Sequence, residues 1–141
     1  LKPSLYYKAV QTHAEELMPV VYTPTVGEAC QKFGKMPMYR RGCYLSVADK
    51  GRVKEVLLDY ANAEMDRAAD GSILCDVVLF SDGGRILGLG DLGAWGMGIP
   101  IGKLDLYTCC AGFNPRRTIP VLLDAGCGGA NSNSHKLVIR D

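Results

Sequence analysis

The chain has 141 residues, of which 48% are apolar and 22% charged, a size and balance that suit a soluble globular domain with its own core. Basic and acidic residues nearly cancel to a net charge of +1, with no block of like charge, so nothing points to a nucleic-acid or membrane partner. No apolar run nears the roughly 18 residues of a membrane span, and the opening LKPSLYYKAV lacks the apolar core and cleavage site of a secretory signal.

Residues 4–17 are predicted to form one helix. Tyr6, Val10, His13 and Leu17 fall on a stripe, and Pro19 is expected to halt it. His13 on that stripe reads as a packing residue. In VVYTPTVGEACQKFG, Thr25 and Glu28 have capping-box spacing. Val26, Ala29, Cys30 and Phe33 supply a buried face, and Gly34 suits a left-handed stop. Tyr22 then stands on a proline-stiffened approach to a helix N-terminus.

From residue 43 the pattern alternates. CYLSV is a short predicted strand, and Val53, Val56, Leu57 and Tyr60 mark a helix. The stretch 61–72 is polar and irregular, as a surface loop is. CDVVLF has the continuous apolar character of a strand covered on both faces. Asp82-Gly83-Gly84 turns the chain, and RILGL reads as a second extended segment. A helix is expected from about Pro100 to Ala111, with Gly112 past its end and Pro115 beyond. TIPVLLD is the last strand, and AGCGGANSNSH is loop-like. The order predicts an α/β fold, with N-terminal helices (1–42) followed by a partial, mostly parallel sheet with flanking helices (43–141).

The cysteines, Cys30, Cys43, Cys75, Cys109, Cys110 and Cys127, include no C-x-x-C pair. Free, buried thiols in a reducing compartment are expected. The histidines, His13 and His135, stand near no cysteine pair, so zinc is not expected.

Gly88, Gly90 and Gly93 spell G-x-G-x-x-G, the spacing of a dinucleotide loop. Such a loop needs a helix to begin at its third glycine, so that free N–H groups meet the pyrophosphate. Gly93 is followed by Ala-Trp-Gly-Met-Gly-Ile-Pro, a poor helix by propensity. The acidic residue expected about 20 residues on is Asp124, 36 positions past Gly88. Both points disfavour a nucleotide here. The glycines instead supply a backbone of low bulk that can pass close to other segments or to a small ligand.

Arg85 and Lys103 bracket this stretch, an arrangement suited to a small anion. Lys103 is expected in the first turn of a helix that is apolar nearly all round, with Leu106, Tyr107 and Cys110 beside it and Asp105 as the exception. Burial and the positive helix end would both favour the neutral amine. Arg40–Arg41 and Arg116–Arg117 read as solvated pairs.

Four blocks, MPVVYTPTVGEACQ, DGGRILGLGDLG, GMGIPIGKLDLYT and NPRRTIPVLLDAG, closely resemble the N-terminal part of malic enzymes, in order and over nearly the whole chain. The match weakens at 60–75 and from Cys127 onward. Gly84 stands where the family often has an acidic residue, and Trp95 where a small or polar one is usual.

The resemblance implies an α/β malic enzyme N-terminal domain, truncated, whose parent converts L-malate to pyruvate and carbon dioxide. The implied cofactors are NAD or NADP with Mg or Mn, and the implied parent is a homo-oligomer of the cytoplasm or mitochondria. Residue by residue, it implies Tyr22 of V-Y-T-P as general acid and Lys103 of I-P-x-G-K-L as general base. Arg85 of R-I-L-G-L-G-D would bind a malate carboxylate. The metal ligands and the NAD(P)-binding domain would lie beyond Asp141, so the chain alone is expected to hold no cofactor and to be inactive. A malolactic enzyme of the same family and a non-catalytic module binding a dicarboxylate or a partner are the competing readings.

Overall fold

A computed structural model describes residues 3–36 and 41–126. Three helices open the chain: α1 (Pro3–Thr12), α2 (Ala14–Val21) and α3 (Thr25–Lys32). They are followed by β1 (Cys43–Ser46), α4 (Val53–Glu64), β2 (Val77–Ser81), α5 (Gly98–Ala111) and β3 (Thr118–Asp124). Short 3-10 turns occupy Phe33–Lys35, Val47–Asp49, Ala94–Met97 and Pro115–Arg117.

The sheet has three strands in the order β1-β3-β2, both pairs parallel, with Cys43 and Phe80 each paired to Val121. β3 is the central strand and all of it except Leu123 is buried, which is why TIPVLLD is apolar on both faces. On one face Cys43, Leu45, Ile119 and Val121 pack with Ala61 and Met65 of the α4 region. On the other, Leu122 meets Phe33, Ala94 and Met97. The three N-terminal helices all contact α5, which also lies against β3. The parallel α/β architecture expected from the alternating pattern is the one observed.

Several local expectations are corrected. The first helix breaks at His13, whose φ of −124° and ψ of 44° lie outside the helical region, and Pro19 falls inside α2 instead of ending it. The amide that Pro19 lacks would have bonded to Glu15, an exposed residue whose carbonyl water can serve. The Thr25–Glu28 capping box does not form: Thr25 is already helical and Pro24 holds the cap position. The Val26 N–H instead donates to the Tyr22 carbonyl at 2.7 Å, and Glu28 accepts from Lys32 at 2.6 Å. Gly27 joins the buried face where Ala29 was expected. Gly34 sits in a 3-10 turn and not in a left-handed stop.

Residues 61–64 complete α4, and the loop beyond is pinned by an antiparallel bridge between Arg67 and Ile73. β2 is an edge strand and is not covered on both faces: Val78 is 51% and Phe80 76% exposed, because α4 packs over β1 and β3. The segment 85–89 is a tight turn, closed by Ile86 N–H to Gly90 O at 2.8 Å, and not an extended return. α5 starts at Gly98, before Pro100, and ends as expected on Gly112 in the left-handed region with φ 73°.

Among the described residues, Cys30 and Cys43 are buried free thiols, Cys109 is half-buried, and Cys75 and Cys110 are exposed, against the expectation of general burial. Cys127 and His135 lie outside the described residues. No helix among the described residues is long and apolar enough to cross a membrane.

Candidate active site

Tyr22 caps the end of α2, half-buried, with its carbonyl tied to the start of α3. Lys103 lies on α5, also half-buried. Its Nζ stands 5.3 Å from the centroid of the Tyr22 ring and 5.5 Å from that of Tyr107. The sequence expectation placed Tyr22 and Lys103 in one site, and the fold brings them side by side.

Glycine makes that approach possible. Gly98 and Gly102 lie one turn apart on α5 and face Cys30 and Val26, one turn apart on α3. A Cβ at Gly98 would come within 2.5 Å of the Cys30 sulfur. At Gly102 it would come within 2.7 Å of Val26 Cγ2 and 3.5 Å of Tyr22 Cδ2. The two helices therefore touch where any side chain on α5 would hold them apart.

One expectation for Lys103 is corrected. The 3-10 turn at Ala94–Met97 runs directly into α5, since Met97 and Gly98 both keep right-handed helical dihedrals. Lys103 is then well inside the helical run. The field of a helix end fades within its first turn, so the dipole does not bear on this amine. Two aromatic faces and half-burial are its surroundings instead.

Arg85 is exposed on the turn between β2 and the 94–97 segment. That turn is seated on α3: a Cβ at Gly27 would lie within 4 Å of Leu87 and Leu89, and Ile86 is buried with Val26 and Leu92 in a cluster that Tyr22 borders. Among the described residues, Arg85 makes no hydrogen bond or ion pair, so its guanidinium fork is available. No such contact joins it to Tyr22 or Lys103.

The glycine motif departs from the expectation at its third glycine. Helical structure does begin directly after Gly93. Its first amides, however, are already taken: Trp95 N–H bonds Leu92 O at 3.2 Å and Gly96 N–H bonds Gly93 O at 2.9 Å. Ala94, Gly96 and Met97 are buried, and a Cβ on Gly96 would lie 2.7 Å from the Gly83 Cα. These two amides are not free to meet a pyrophosphate, and the backbone at Gly96 is closed by Gly83. Asp124 ends β3 as a buried carboxylate accepting from Gly126 N–H at 3.0 Å. Among the described residues, no three His, Cys, Asp or Glu side chains converge to hold a metal ion.

Residues 2–138 match the family model described as malic enzyme, N-terminal domain. The chain belongs to the malic enzyme family. It is 46% identical over 123 residues to NAD-dependent malic enzyme 2 of Photobacterium profundum, covering 87% of this chain and 20% of that protein. It is 49% identical over 123 residues to the hydrogenosomal malic enzyme of Neocallimastix frontalis, covering 87% and 19%. With the chloroplastic NADP-dependent malic enzyme 4 of Arabidopsis thaliana it shares 45% over 134 residues, covering 95% and 18%. The chain spans about a fifth of the length of these relatives.

Within this malic enzyme domain, two features escaped the sequence reading. Arg41 is not a solvated cation. It donates to Tyr7 Oη at 3.0 Å, Pro115 O at 3.1 Å and Thr118 Oγ1 at 2.7 Å, with Asp105 3.7 Å away. Tyr7 in turn donates to Asp105 Oδ1 at 2.6 Å. Burial pushes the Asp105 carboxyl up from its ordinary value, against the lowering pull of Tyr7 and Arg41. The network ties α1 and β3 to α5 two residues from Lys103, and the single acidic residue of this apolar helix, Asp105, is its visible trace in the sequence. The second feature is the packing of Trp95. Its indole lies against Gly34, where a Cβ would overlap the ring, so this glycine serves the tryptophan.

Proposed function

We propose that the chain is the malate-binding, catalytic N-terminal part of an oxidative decarboxylase that converts L-malate to pyruvate and carbon dioxide as NAD or NADP is reduced. Residues 1–42 contribute Tyr22, and 43–141 contribute Arg85 and Lys103. Arg85 pairs its fork with a malate carboxylate. Lys103 takes the proton of the C2 hydroxyl as the alcohol is oxidised. After carbon dioxide departs, Tyr22 returns a proton to C3 of the enol. The nicotinamide domain and the Mg or Mn ligands come from outside this chain, which alone turns over no malate. The parent is a homo-oligomer of the cytoplasm or mitochondria, with malate and pyruvate, not nucleic acid or membrane, as its partners.

The observation that carries this reading is the meeting of Tyr22 and Lys103, whose amine lies 5.3 Å from the ring centroid. That proximity supports a shared site in which the residue capping α2 and a lysine of α5 serve one small substrate. The test is Lys103→Ala in the complete enzyme. Malate oxidation is expected to fall by about 10²–10⁴-fold and to recover in part with added small amines. Unchanged turnover would overturn the reading.

A further inference from the structure

Tyr107 follows Lys103 by one turn on α5, and its ring centroid lies 5.5 Å from the Lys103 amine. We infer that Tyr107 is a positioning residue: its ring and that of Tyr22 flank the Lys103 amine, and their faces attract the ammonium that forms as this amine takes the substrate proton. This rests on the reading of Lys103 as the base.

A lysine stem has several rotatable bonds, so an untethered amine samples many positions, whereas a base must sit within hydrogen-bond reach of its proton. Among the described residues, Lys103 makes no hydrogen bond or ion pair, and the two rings stand close to its amine. Both lie within the roughly 6 Å at which a ring face attracts an ammonium. Once the amine has taken the substrate proton, it is the charged form that these faces attract.

The Tyr107 ring is itself braced. Gly112, left-handed with φ 73°, turns the chain back at the end of α5 with its N–H on the Tyr107 carbonyl. That reversal sets Phe113 against Tyr107, with ring centroids 5.9 Å apart at an interplanar angle of 35°. Phe113 thus backs Tyr107, and the close approach at Gly102 brings the Tyr22 ring, the second ring near the amine, into place. The Tyr107 hydroxyl has no partner among the described residues, which leaves its ring as the working part.

The test compares Tyr107→Leu, Tyr107→Phe and Lys103→Ala in the complete enzyme, with thermal melts as a control for folding. Tyr107→Leu is expected to lower kcat about tenfold with KM for malate little changed, and Tyr107→Phe to restore most of that loss. Phe113→Ala, which loosens the brace from outside the site, is expected to lower kcat by about threefold without moving KM, and it decides the matter if Tyr107→Leu does not fold. An undiminished kcat in Tyr107→Leu, or in Phe113→Ala where that variant decides, would overturn the inference, as would a Phe variant as impaired as Leu. If Lys103→Ala is inactive while Tyr107→Leu is normal, the positioning role alone falls. If Lys103→Ala is active, the base assignment falls with it.

Discussion

The ring of Tyr22 reaches the amine of Lys103 because α5 carries no side chain at Gly102, where the Tyr22 ring edge would lie 3.5 Å from a Cβ. Gly102→Ala sets two effects against each other. Helix propensity alone favours alanine by about 1 kcal/mol. The new methyl would stand 2.7 Å from Val26 Cγ2, and overpacking of that kind costs about 1–3 kcal/mol. The steric term is expected to win, lowering the urea midpoint. Adding Val26→Ala should return part of the loss, a coupling that independent sites do not show. A raised midpoint in Gly102→Ala would mean that α3 and α5 do not touch there.

Arg41 and Asp105 form a second relationship open to measurement. Their side chains are 19% and 18% exposed, and Tyr7 bridges them. Asp105→Leu leaves the Arg41 cation facing an apolar side chain and takes away the acceptor of the Tyr7 hydroxyl. Its expected cost is about 2–4 kcal/mol, somewhat below that of a fully buried pair. Arg41→Met in the same chain should recover part of this, though not all, since Arg41 also serves Pro115 O and Thr118 Oγ1. Urea denaturation of the two single variants and the double variant measures the coupling. Strict additivity would show that the pair does not interact.

What the sequence reveals here is pattern, and what it hides is neighbours. TIPVLLD is apolar at every second position and between, and it is the central strand. CDVVLF has the same character, yet β2 is at the edge, because composition cannot say on which side the next strand or helix lies. The glycines of 94–97 predict a non-helical segment, and the structure has a 3-10 turn there. Packing overrode propensity, since the bare backbone at Gly96 is what lets it lie on Gly83. Arg41 looked solvated because its partners, Tyr7, Asp105 and Thr118, are distant in the chain. The candidate site divides in the same way. Motifs named Tyr22, Arg85 and Lys103, but no spacing rule could place the Tyr22 ring on the Lys103 amine, which depends on contact between α3 and α5.

Cys30 gives the domain an alkaline limb. Its sulfur is fully buried beneath Gly98, and burial pushes the thiol up from the ordinary 9.0 to about 11. Below pH 9 the thiol is protonated in both folded and unfolded chains, and its contribution to stability is complete. As pH rises from 9 towards about 11, the unfolded chain ionises first and stability falls, levelling off above that range. The loss amounts to about 2–3 kcal/mol. Cys30→Ala sacrifices some packing at every pH but removes this titration. Cys109, also raised to about 11 by burial, stays in both proteins, so only the difference between them reports on Cys30. Unfolding free energies taken in urea with reductant, at about pH 8 and about pH 10.5, should fall more steeply for the unaltered chain than for Cys30→Ala. Parallel falls would show that the Cys30 thiol ionises as readily in the folded core as in the open chain.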